Sequence, residues 1–143
     1  MLADTETREA VLAVMDRFNE AVGAKRLGDV VGLFVSDPDV TMLGSEQAER
    51  AVGPAELAFI IGRLLARQST YSWRWHQRQV SVSAAGDVAW VEAVASISDG
   101  RMATPYRMTL VLERRGGHWL IAQYHGSEPL PPPDDQFSSG TAT

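Results

Sequence analysis

Four side chains in the C-terminal half could do chemistry together: Glu92, Tyr106, Arg107 and His125. A carboxylate or an imidazole can take a proton when its surroundings bring its pKa near neutrality. A phenol or a guanidinium can hold the negative charge that such a step develops. Glu92 lies in a run otherwise rich in Ala, Val and Trp. Facing a cavity, it would be a general base; facing the other way, it is a solvated carboxylate or a dimer contact. His125 reads as an acid, a base or a ligand donor, or else as a histidine satisfied by Ser127 or by backbone. Tyr106 and Arg107 are adjacent, so in a strand they point to opposite faces. Arg107 could grip an anionic ligand through two parallel hydrogen bonds, or pair with Glu92, Glu113 or Asp99. Phe18, Trp75 and Trp90 complete the candidate wall, against the plainer reading that the tryptophans are core.

The remaining titratable residues exclude several chemistries. His76 sits near a suspected bulge and otherwise reads as a surface residue; His118 falls in a turn. The three histidines have no ligand spacing, and neither HxH nor HExxH occurs, so no metal is expected. No glycine-rich phosphate loop or nucleophile elbow is present either, because Gly116-Gly117 reads as a hairpin turn. No cofactor is expected.

The elements that must position these residues show in the hydrophobic period. Val11, Val14, Met15, Phe18 and Val22 form one stripe of an amphipathic helix over roughly 5–23, with Asp4 or Thr5 as cap. A short second helix follows Gly28-Asp29 and closes at Asp37-Pro38. Asp39–Leu43 reads as a short strand, and the polar stretch from Gly44 to Ala51 as a loop or irregular hairpin. Gly53-Pro54 opens a third helix with Leu57, Ile61, Leu64 and Leu65 on its buried side, to about Gln68. From Tyr71 the period becomes 2. Tyr71, Trp73 and Trp75 share one parity and Val80 and Val82 the other, which predicts a bulge near 76–79. Val88–Ser98 is a long strand. Ala103 to Ser127 is a hairpin folded at Gly116-Gly117. Helices segregated from four consecutive antiparallel strands mean an α+β fold. The expected form is a curved antiparallel sheet wrapped around three N-terminal helices, a cone with a pocket.

The chain resembles the SnoaL-like group of the nuclear transport factor 2-like superfamily over about residues 5–127. The resemblance rests on Arg107-x-Thr109-x-Val111, Arg115-Gly-Gly-His-Trp119 and His125-x-Ser127, with support from Gly86-Asp87-Val-Ala-Trp90 and Gly53. That superfamily includes ketosteroid isomerases, polyketide cyclases, dehydratases and a kinase association domain, so the resemblance implies a fold before an activity. It also implies a dimer formed through the convex sheet face. Ketosteroid isomerase-like members carry a catalytic Asp just after the first strand; counted back from Gly53 without a gap, this chain has Gly44 there, with Glu46 close by. Where many SnoaL-like members show His-x-His in the last strand, this chain has Gln123-x-His125.

Composition fits this reading. The chain has 143 residues, 45% hydrophobic and 22% charged, enough for one domain with a real core. A net charge of −5 and no basic run beyond Arg114-Arg115 argue against nucleic-acid binding. Cysteine is absent, which removes disulfides and thiolate metal sites. The N-terminus lacks a signal-peptide pattern and no apolar run spans a membrane. The expected protein is cytoplasmic, soluble, without nucleic-acid or membrane partners, and a homodimer. Residues 1–127 read as the domain and 128–143 as a Pro-rich disordered tail. The expected function is binding a small apolar or carboxylate-bearing molecule, with cofactor-free isomerase, cyclase or dehydratase chemistry as its catalytic form. There Glu92 or His125 would be the base, and Tyr106 or Arg107 would stabilise the oxyanion. The rival is a non-catalytic homo-oligomerisation or interaction module, favoured by a cavity well below ~300 Å³.

Overall fold

The computed structural model describes residues 1–133. The expected disorder of the tail falls largely on residues 134–143, outside the described residues. Nine elements follow in order: α1 Thr5–Gly23, α2 Leu27–Val31, β1 Thr41–Leu43, β2 Arg50–Val52, α3 Pro54–Leu65, β3 Ser72–Val82, β4 Val88–Ser98, β5 Ala103–Arg115 and β6 His118–Ser127. The fold is α+β, as the segregation of periods implies.

Helix α1 starts where the Asp4 carboxylate accepts from Thr7 N at 2.8 Å, which satisfies a first-turn N–H that no helical carbonyl can reach. All five residues of its stripe are buried. Pro54 opens α3 at a position where its missing N–H costs no hydrogen bond. Leu57, Ile60, Ile61 and Leu65 are its buried side.

The strands form one curved sheet in the order β2-β1-β6-β5-β4-β3. β3 to β6 pair antiparallel in sequence. β1 adds to β6 in parallel, Met42 opposite Tyr124, and β2 folds back on β1, Ala51 opposite Met42. The sheet is therefore not wholly antiparallel, and the stretch from Gly44 to Ala51 ends in a sixth strand. β3 shifts register between Trp75 and Gln77, which leaves His76 as the bulged residue, within the span that the parity change marks. A second shift, between Val111 and Leu112 on β5, leaves Ala122 of β6 unpaired. The β5–β6 turn has positive φ at Gly116 (56°) and Gly117 (80°), the conformation that two-residue hairpins require and that glycine adopts freely.

Alternation decides which residues meet the helices. On β4, Ala89, Val91, Ala93 and Ala95 are buried while Trp90, Glu92 and Val94 are exposed. On β5 the buried set is Tyr106, Met108, Leu110 and Leu112. Small side chains at Ala89, Ala93 and Ala95 thus fill the inner row of β4, and its larger and charged residues take the outer face.

Candidate functional site

Between α1, α3, the β1–β2 hairpin and the sheet lies one narrow cavity. Its open core is about 50 Å³; counting the mouth and the crevices between atoms, the empty space is about 440 Å³. The first figure is the room a ligand finds without side-chain movement, and it is small beside the ~300 Å³ of an ordinary ligand pocket.

Its buried end is aromatic. Phe18 of α1 packs against Trp73 at 5.4 Å and Tyr124 at 5.6 Å between ring centroids, and Trp73 meets Tyr106 edge-on at 5.9 Å. Tyr106 and Tyr124 project from paired strands and bring their hydroxyls to 2.6 Å. Burial pushes the Tyr106 hydroxyl up to about 12. Tyr124 is pushed well above its ordinary value, first by burial and then by Tyr106. Both phenols are therefore neutral donors at physiological pH. One proton lies between the two oxygens, so the other remains for a further acceptor. Gly126 makes the arrangement possible: a Cβ there would stand 1.7 Å from the Tyr106 hydroxyl oxygen and 3.0 Å from that of Tyr124. The Trp73 indole N–H lies near enough to Tyr106 to influence its titration, yet it is outside hydrogen-bond geometry and has no partner among the described residues. It is a second donor waiting for an acceptor.

The outer end is charged. The β1–β2 hairpin supplies Glu46 and Glu49, α3 leads into Arg67, and Glu128 follows β6. Arg67 donates to both Glu46 oxygens, at 2.7 and 2.6 Å, and to the Tyr71 hydroxyl at 3.1 Å. Those bonds hold the Glu46 carboxyl below its usual value. Glu49 behaves in the opposite way. Burial, then the neighbouring Glu46 charge, raises its pKa. Its side chain lies across Gly44, where an added Cβ would stand 2.3 Å from Glu49 Oε2. The position that the resemblance associates with a carboxylate thus carries none of its own, and a carboxylate from across the hairpin fills the space. Two acids under different influences, above a pair of neutral phenols, are a setting for proton transfer.

The residues expected at the cavity divide into two groups. Phe18 and Tyr106 line it. Glu92, Arg107, His125 and Trp90 do not: they are exposed on the outer face of the sheet, and this corrects the expectation that they face the cone. The reason is parity. Glu92 pairs with Thr109 and Thr109 with His125, which puts all three on the face opposite the Ala93–Met108 pair. Trp75 is on the helix side but away from the cavity, half-buried with the Arg78 guanidinium 5.4 Å above its ring. Arg78 is in turn held by Asp16 of α1 at 2.7 Å. His76 touches Ser96 at 2.8 Å on the exposed side. Glu49, Arg67, Trp73 and Tyr124 are among the cavity residues that sequence reasoning missed. The row of small residues on β4 was the available signal for which parity faces inward. No group of three His, Cys, Asp or Glu side chains able to hold a metal occurs among the described residues. Among them, too, no helix is long and apolar enough to cross a membrane.

Comparison with known proteins agrees with this architecture. A nuclear transport factor 2-like protein of unknown function from Pseudomonas putida superposes with a TM-score of 0.77 at 17% identity, covering 92% of each chain. A candidate calcium/calmodulin-dependent protein kinase II association domain from Xanthomonas campestris gives 0.77 at 24% identity over 91% of each chain. A candidate dehydratase of the same superfamily from Streptomyces avermitilis gives 0.76 at 20% identity, covering 86% of this chain and 96% of that one. At such identities the likeness shows the fold alone. None of the curated proteins searched matches the chain. The SnoaL-like domain family matches residues 11–131. With that match over most of its length, and with the helices, curved sheet and cavity described above, the chain belongs to the SnoaL-like domain family.

Proposed function

We infer that the protein binds a small, uncharged carbonyl compound in this cavity and moves a proton on it without a cofactor. One observation carries the reading: a single cavity holds a carboxyl raised above its ordinary pKa, Glu49, and neutral donors at its buried end. The carbonyl oxygen would accept from the free tyrosine proton and from Trp73 Nε1. Glu49 would take the proton from the adjacent carbon, and the phenols would carry the enolate charge. An uncharged ligand is favoured over the carboxylate-bearing alternative, because Arg67, the one cation among the described residues that line the cavity, already binds Glu46. Glu49 and Glu128 would repel an anion.

The test is a thermal-shift and tryptophan-fluorescence screen of small ketones and enones, followed by a proton-exchange assay on those that bind. Glu49→Gln should keep binding and slow exchange by about 10²-fold or more. Tyr106→Phe should weaken binding. Full exchange activity in Glu49→Gln, or no ketone binding at all, would overturn the reading.

A second reading has its own support. A core of about 50 Å³ favours a module whose work is assembly, with the outer sheet face as its contact surface. Trp90 and Val94 are 44% and 40% exposed there. Glu92, Arg107 and His125 would then serve recognition between copies.

A further inference from the structure

A second, smaller cavity of about 30 Å³ adjoins the first, and Glu46, Glu49, Leu64 and Arg67 line both. These four residues stand between the two spaces, and two of them, Glu46 and Arg67, are bonded to each other through their side chains. Beyond them the lining is Ala48, Ile60 and Arg63. The Arg63 guanidinium sits over the Phe59 ring at 5.8 Å, and its charge also reaches the Glu46 carboxylate. The apolar part of the smaller cavity's wall is framed by Ala48, Ile60 and Leu64. The pair that closes it off is half exposed, 37% for Arg67 and 51% for Glu46. Water screens such pairs, and they open readily.

We propose that the two cavities are compartments of one ligand site, and that the outer one takes the straight apolar tail of a ligand whose carbonyl head lies at the tyrosine pair. This rests on the reading of the inner cavity given above. Its added content is the class of ligand: a chain-bearing ketone, not a compact one. The inner core is too small for more than a few heavy atoms. Rotation of Arg67 and Glu46 joins the spaces and adds the volume of the two displaced side chains. The tail then passes Leu64, which is common to both compartments, and covers Ile60 and Ala48. Glu49 stands on the same boundary, beside the carbon next to the carbonyl.

A homologous series of straight-chain methyl ketones tests this, with dissociation constants read from tryptophan fluorescence. Once the chain passes the boundary, each added methylene should tighten binding by roughly fourfold, the value of a buried methylene. Ala48→Trp, at an exposed loop position, should fill the outer compartment. It should cancel the gain for long ketones and leave acetone and butanone unchanged. Ala48→Leu, a smaller filler, should cancel part of the gain and guards against misfolding of the larger variant. Affinities that stop rising at the shortest ketones would overturn the proposal while leaving the inner-site reading intact. So would a chain-length gain that persists in Ala48→Trp. If no ketone binds, the inner-site reading falls and this one with it.

Discussion

Asn19 of α1 holds both backbone groups of Trp73: its Nδ2 donates to Trp73 O at 2.7 Å, and Trp73 N donates to its Oδ1 at 3.0 Å. One helix side chain thus acts as a short length of neighbouring strand for the free edge of β3. It fixes the backbone from which Trp73 enters the cavity wall. Asn19→Ala should destabilise the fold by about 1–3 kcal/mol, since two partly buried backbone groups lose their partner. Asn19→Asp keeps the acceptor but sets a carboxylate oxygen against Trp73 O, so it should cost at least as much. Urea unfolding of the three proteins checks this; equal midpoints would show that water replaces the amide.

The pH dependence of stability should report Glu49. Its pKa in the folded protein is raised above the ordinary 4.5. Such a group favours the folded state at pH below its unfolded value, and that contribution is lost as pH rises through the folded pKa. Glu49→Gln removes the titration. The variant should therefore gain stability relative to the parent as pH rises through and beyond the ordinary value of 4.5. Melting curves across that range measure it; a difference independent of pH would mean that the carboxyl is not raised.

Gly44→Ala should disturb the same acid by sterics. The new methyl would meet Glu49 Oε2 at 2.3 Å and its Cβ at 2.6 Å. The second contact cannot be relieved by rotating the side chain, so the hairpin must shift. A loss of about 1–3 kcal/mol is expected, together with a fall in the Glu49 pKa as the carboxyl moves toward water. Carboxyl-carbon NMR titration reads the second effect directly.

The outer sheet face should form a dimer that buries at least ~1,200 Å² in total. Light scattering at micromolar concentration should then give twice the chain mass of 15.6 kDa. Trp90→Lys should shift the protein to monomer without changing its fold. A monomeric parent would refute the proposal outright.

Much of the fold was legible because long elements carry a period. The α1 stripe, the strands from Ser72 onward and the bulge beside His76 all follow from spacing. β2 was not, because three residues, Arg50–Val52, are too few to show alternation. The site was less legible for a related reason. Parity said that Tyr106 and Arg107 oppose each other, but not which one faces inward. Charge drew the eye to Glu92, Arg107 and His125, whereas the inner row of β4 is marked by small size at Ala89, Ala93 and Ala95. Glu49 reaches the cavity only through the register of a short hairpin and the bare backbone of Gly44. Neither leaves a pattern in the sequence.

The carboxylates sit on the least anchored part of the sheet. β1 and β2 have three residues each, against ten to thirteen in β3 to β6. Local opening there breaks few ladder bonds and leaves the aromatic end and the four long strands intact. The amide protons of Gly44 and Gly53, bonded across this hairpin to Glu49 O and Val40 O, should consequently exchange with solvent orders of magnitude faster than those of Leu110 or Ile121. The half of the cavity that carries negative charge can breathe while the half that donates hydrogen bonds stays rigid.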